Sequence, residues 1–207
     1  MKPLSPSPVS LPANVRVKVV GSFDELLSTR FGNGVNALCW ARTLAGDFDE
    51  IVEKIGSIQR IVTLDEADLR SLDLSPAGRI ARETLIEDQR LLAAAGLDPI
   101  LDCIPAYPRD EEGGPVPVDV YSFHADSATV EADTYLCSYN QASSEGLLNE
   151  EAVRRIDDVD TRKRLLEAFG GPDGESFQAY LKERCYDLHY APLAHARPYS
   201  FGLGNLW

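Results

Sequence analysis

The chain has 207 residues, 44% hydrophobic and 26% charged, which is enough for one substantial core and far from the composition of a disordered chain. Its formal net charge of −13 repels phosphate backbones and anionic headgroups, so neither nucleic acid nor a membrane surface is expected as a partner.

Residues 1–14 carry Pro3, Pro6, Pro8 and Pro12, which fix φ and remove amide donors. The reading is an extended arm ahead of one domain spanning 15–207. The arm has no apolar core of the kind a signal peptide needs, and no apolar run in the chain is long enough to span a bilayer. Val15-Arg16-Val17-Lys18-Val19 alternates apolar and basic residues as a half-buried strand does, and Ser22 is placed to cap a short helix ending near Leu27. Residues 35–41 are an apolar run too short for a helix and read as a second strand. Phe48, Ile51, Val52, Ile55 and Ile58 follow a helical spacing behind Asp47 as N-cap. Ser75-Pro76 joins an N-cap to a proline at the first helical position, and Gly96 is a left-handed stop, so a long helix is predicted between them.

Beyond residue 97 the pattern turns to β. Residues 100–106, 118–126 and 130–139 read as strands separated by turn residues that include Glu112-Gly113-Gly114-Pro115. A helical insert follows, with Asn149 and Asp160 as caps, Gly170-Gly171 as a stop and Ser176 opening a last helix to about Arg184. Residues 201–207 are apolar and strand-like. The expected class is α+β, helix-rich over 15–96 and with a β core over 97–207.

Strand alternation over 118–126 would place Val118, Val120, Ser122, His124 and Asp126 on one face. An imidazole and a carboxylate two residues apart on that face can converge on one ion, supplying two-thirds of a 2-His-1-carboxylate facial triad. The plainer reading is a histidine hydrogen-bonded to a nearby carboxylate at a strand end. Tyr135 and Tyr139 would share a face with Cys137 and either line a pocket for a bound acid or pack.

The segment Tyr121-Ser122-Phe123-His124-Ala125-Asp126-Ser127, followed by a strand and a helical insert, resembles the H-x-D element of the jelly-roll iron(II)/2-oxoglutarate-dependent oxygenases, in an uncharacterised bacterial branch. The resemblance covers roughly residues 97–207. It implies a double-stranded β-helix, a small-molecule substrate and 2-oxoglutarate as co-substrate. It also implies iron(II) held by His124, Asp126 and a distal histidine. His189 and His195 are equal candidates for that histidine, the third option being sequence beyond Trp207. Arg197, in Arg197-Pro198-Tyr199-Ser200, loosely matches the basic anchor of the ketoacid.

Two other readings remain open: a non-catalytic binding protein on the same scaffold, and a zinc protein using Cys185 and His189, four residues apart and so on one face of a helix. Cys39, Cys103, Cys137 and Cys185 are widely spaced without a C-x-x-C, which suits reduced thiols in a cytoplasm. Arg154-Arg155 and Arg162-Lys163-Arg164 read as solvated helix faces, with contact to an anionic substrate as the alternative. No G-x-G-x-x-G, P-loop or G-x-S-x-G is present, against dinucleotide, nucleotide and α/β-hydrolase chemistry.

Overall fold

The computed structural model describes residues 16–109 and 114–207; the arm and the Glu112-Gly113 part of the expected turn lie outside the described residues. Strand β1 (Val17–Val20) pairs in parallel with β2 (Ala37–Trp40), from Val17 opposite Ala37 to Val20 opposite Trp40. Parallel strands need a crossover. It contains α1 (Phe23–Ser28), where Ser22 Oγ accepts the Glu25 amide at 3.1 Å and Phe23 and Leu26 are buried.

Helix α2 (Phe48–Ile55) starts at its Asp47 cap, β3 (Val62–Thr63) follows, and α3 (Glu66–Ser71) opens with a reciprocal capping box between Asp65 and Asp68. Helix α4 (Pro76–Ala94) runs between the two signals read for it, with Ser75 capping and Gly96 at φ 80° just beyond its end. Strand β4 (Asp102–Cys103) pairs antiparallel with β3. One apolar cluster joins these elements: Ile51, Leu64, Leu69, Leu74, Ala81, Leu85 and Ile86.

The second half is built on β5 (Phe123–His124), β6 (Glu145–Gly146), β7 (Ala152–Arg154), α5 (Val159–Phe169), α6 (Glu175–Glu183), β8 (His189–Pro192) and β9 (Tyr199–Ser200). Single 3₁₀ turns lie at Asn149–Glu151, Arg155–Asp157 and Tyr186–Leu188. Strands β5, β8 and β7 form an antiparallel sheet in that order, and β6 pairs antiparallel with β9. Val116, Ile156, Leu165, Phe177, Leu181 and Tyr186 pack as a second cluster beneath the two helices. Burying each large side chain of this kind stabilises the fold by about 1.5–3 kcal/mol.

The halves are stitched together by residues 201–207. Trp40 and Leu206 exchange backbone bonds at 2.8 and 3.2 Å, and Leu136 and Trp207 exchange bonds at 3.1 and 3.0 Å. Leu206 thereby joins a third cluster with Val20, Phe23, Leu26 and Leu38.

The architecture is α+β, with sheets of two or three strands and no closed barrel among the described residues. Four expected strands are corrected, among them 201–207, which pairs through isolated bridges at Leu203 and Leu206 and forms no strand. Of 118–126 only Phe123–His124 enters a ladder, because the Asp119 carboxylate and carbonyl accept the Tyr121 and Ser122 amides at 3.2 and 3.1 Å and close a turn. Of 130–139 only Leu136, through its bonds with Trp207, and Ser138, bridged to Leu203, are paired, and of 100–106 only Asp102–Cys103 forms a strand. The caps of the insert also shift: Asp158, not Asp160, caps α5, Gly174 precedes α6 in place of Ser176, and Asn149 lies inside a 3₁₀ turn. Among the described residues no helix is long and apolar enough to cross a membrane.

Candidate functional site

His124 is held by β5, opposite His189 of β8 in the ladder. Ala125 continues the pairing through its amide to the Leu188 carbonyl at 3.0 Å, and Asp126 follows as the chain leaves the sheet. The turn removes the long alternating strand, so local register, not a shared strand face, sets the His124–Asp126 relation. His124 Nε2 lies 3.7 Å from Asp126 Oδ1, with the two side chains 28% and 56% exposed.

The other ring nitrogen decides the tautomer. His124 Nδ1 is 2.7 Å from the Ser122 carbonyl, which can only accept, so Nδ1 carries the proton and Nε2 presents its lone pair beside the carboxylate when the ring is neutral. His189 Nδ1 is 2.8 Å from the Ser122 hydroxyl. That hydroxyl has one proton and donates it to the Asp119 carbonyl at 2.8 Å, so His189 is also the Nδ1–H donor. The two rings stack with centroids 5.4 Å apart and planes inclined by 27°. Burial, then the neighbouring His124 and the Arg155 guanidinium, hold His189 below the ordinary histidine range.

Two donors on one ion, each about 2.1 Å away at tetrahedral or octahedral angles, lie about 3.0–3.4 Å apart. The pair stands at 3.7 Å, a few tenths of an ångström beyond that spacing, with Asp126 the more exposed of the two. These two residues therefore fit as ligands of one ion, with the Ser122 carbonyl orienting the imidazole as outer-shell acceptors do. Among the described residues no three of His, Cys, Asp and Glu converge into a metal-holding group. His189 is buried against the His124 ring, and His195 is exposed in the turn after β8.

The residues read as ketoacid contacts sit in other surroundings. Arg197 is exposed, with its amide on the Glu151 carboxylate at 3.1 Å. Tyr135 packs on the cluster around Val20 and Phe23. Tyr139 stacks on Phe48 and donates to Asp88 at 2.8 Å. Cys185 and His189 do not share a helical face: Cys185 has φ 56° after α6, and a 3₁₀ turn separates it from β8. An open cleft of about 570 Å³ borders Asp126, lined by 127–132 together with Lys182, Cys185, Asp187 and Leu188.

A second polar cluster lies outside any sequence motif. Arg42 makes a bidentate pair with Asp88 at 2.6 and 2.8 Å, side chains 9% and 6% exposed, and donates to the Gly204 carbonyl at 2.7 Å. With Tyr139 on the same carboxylate, the network closes on itself and reads as a structural clamp between α4 and the C-terminal segment. Its members are too distant in sequence for any local signal, and the sequence reads Ser122 only as a strand residue sharing the His124 face.

Comparison with protein-family models, curated proteins and solved structures returned no match to this chain.

Proposed function

We propose that this chain is a mononuclear iron(II)-dependent oxygenase that uses 2-oxoglutarate as co-substrate and acts on a small molecule, with His124 and Asp126 as two of the metal ligands. The observation that carries the reading is the Ser122 carbonyl on His124 Nδ1, which leaves the Nε2 lone pair beside the Asp126 carboxylate. The choice of iron and ketoacid rests on the likeness of residues 121–127 to the oxygenase H-x-D element. Antiparallel pairing in β5–β8–β7 and β6–β9 supports a jelly-roll-like core as the finer fold assignment.

Iron(II) bound here would supply the centre at which dioxygen is activated while the ketoacid is oxidised. The protein's own part is to orient. Ser122 fixes the His124 ring, His189 supports it by stacking, and the cleft beside Asp126, which reaches Asp187 and Leu188 of the 3₁₀ turn before β8, gives the substrate access.

The test is anaerobic reconstitution with iron(II) and 2-oxoglutarate. A visible charge-transfer band of the bidentate ketoacid is expected in the native chain and absent in His124→Ala. No band, together with equal metal content in both proteins, would overturn the reading.

A further inference from the structure

Near the His124–His189 stack lies a guanidinium with one donor left unmatched among the described residues. Arg155 opens the 3₁₀ turn Arg155–Asp157, which packs against both β8 and the turn Tyr186–Leu188. Its Nε–H is buried and has no hydrogen-bond partner among the described residues. The two acids that follow Arg155 closely in sequence are engaged elsewhere: Asp157 takes both donors of Arg154 at 3.0 and 3.2 Å, and Asp158 caps α5 by accepting the Thr161 amide at 2.8 Å. The positive charge of Arg155 reaches His189, where it opposes protonation of the ring.

A buried donor without an acceptor raises the free energy of the folded chain unless something binds there. Guanidinium groups offer a planar fork of N–H donors that matches an oxyanion, and such charge-assisted bonds are the strong ones. We infer that Arg155 binds the carboxylate of a small organic acid at the corner between β8 and the two 3₁₀ turns, beside His189. Asp119 and Asp187 also act on His189, so the corner holds carboxylates of its own. A carboxylate presents its two oxygens to the guanidinium fork within one plane, which a tetrahedral phosphate does not, so the flat group suits a corner already crowded by carboxylates.

The inference deepens the proposed function by naming an acidic substrate, and it rests on that reading only in calling the ligand a substrate. Binding of succinate, its neutral diamide and inorganic phosphate is measured by calorimetry at fixed ionic strength on chelator-treated protein, so that no metal is needed. Succinate is expected to bind at least about tenfold more tightly than the diamide or phosphate. Arg155→Met should lose about tenfold or more in succinate affinity, and Arg155→Lys should fall between, since it keeps the charge and loses the fork. Without ligand, Arg155→Met should melt no lower than the native chain, because the deleted donor was unpaired. Equal binding of succinate and diamide, phosphate binding as tight as succinate, or unchanged succinate affinity in both variants overturns the inference. A lowered melting point in both variants, with succinate affinity retained, assigns Arg155 a structural role and overturns it too.

A separate titration identifies the source of the carboxylate. In iron-loaded protein, an unchanged 2-oxoglutarate midpoint in Arg155→Met supports the substrate assignment, and a tenfold higher one gives the contact to the ketoacid and overturns it. If the ketoacid band never forms, the proposed function fails while the calorimetric result still decides the Arg155 site.

Discussion

His124 and His189 face each other across the β5–β8 ladder with ring centroids 5.4 Å apart, and a single residue, Ser122, orients both. Its carbonyl takes the Nδ1–H of His124 and its hydroxyl that of His189. The two roles of Ser122 are separable by mutation.

Ser122→Ala removes the hydroxyl and keeps the carbonyl. His189, only 4% exposed, then loses the acceptor for its Nδ1–H, which should cost about 1–3 kcal/mol in urea denaturation. Iron content per chain should stay at the native level, because the His124 contact is to the backbone.

Asp88→Asn should be among the most damaging single changes in the molecule. It leaves the Arg42 charge buried and unpaired, for an expected loss of about 3–5 kcal/mol by chemical denaturation. Replacing both partners with apolar residues of similar size should recover a large part of that loss. Tyr139→Phe, which deletes one hydrogen bond to the same carboxylate, should cost about 1–2 kcal/mol.

Glu50 links α2 to the start of α4, accepting the Ser75 amide at 2.8 Å and the Ser75 hydroxyl at 2.6 Å. Those bonds hold its carboxyl below the ordinary value of 4.5. A depressed folded-state value means that the contribution is present above about 4.5 and fades as pH falls through the lower folded value. Glu50→Gln should therefore be less stable than the native chain at neutral pH, with the gap closing in acid. A gap independent of pH would contradict the linkage.

Gly46 has φ 112°, and a Cβ added there would lie 2.5 Å from the Ala81 nitrogen and 2.8 Å from its Cα. Backbone conformation and helix backbone both oppose a side chain. Gly46→Ala should cost at least about 2–3 kcal/mol, read as a lowered urea midpoint.

Burial pushes the Cys39 thiol up to about 11, and the residue is 0% exposed. Iodoacetamide at pH 8 should leave Cys39 unlabelled in the folded protein while labelling it in urea, as read by peptide mass mapping. Labelling of the folded chain at an unfolded rate would show that β2 opens.

The local features of this protein were legible because they are decided within a few residues. Ser22, Asp47 and Ser75-Pro76 cap the helices expected of them, since a cap needs only its own first turn. His124-x-Asp126 was visible for the same reason, as two donors that can meet across one intervening residue. Strand length was not legible, because a strand exists only as far as a neighbour pairs with it. Residues 130–139 find partners only near their end, at Leu136 and Ser138, and Asp119 turns the chain where alternation alone read a strand. The Arg42–Asp88 clamp, the His124–His189 stack and the unpaired Nε of Arg155 were decided by tertiary structure alone. Each depends on burial together with contacts between segments far apart in the chain, and neither quantity has a local signature.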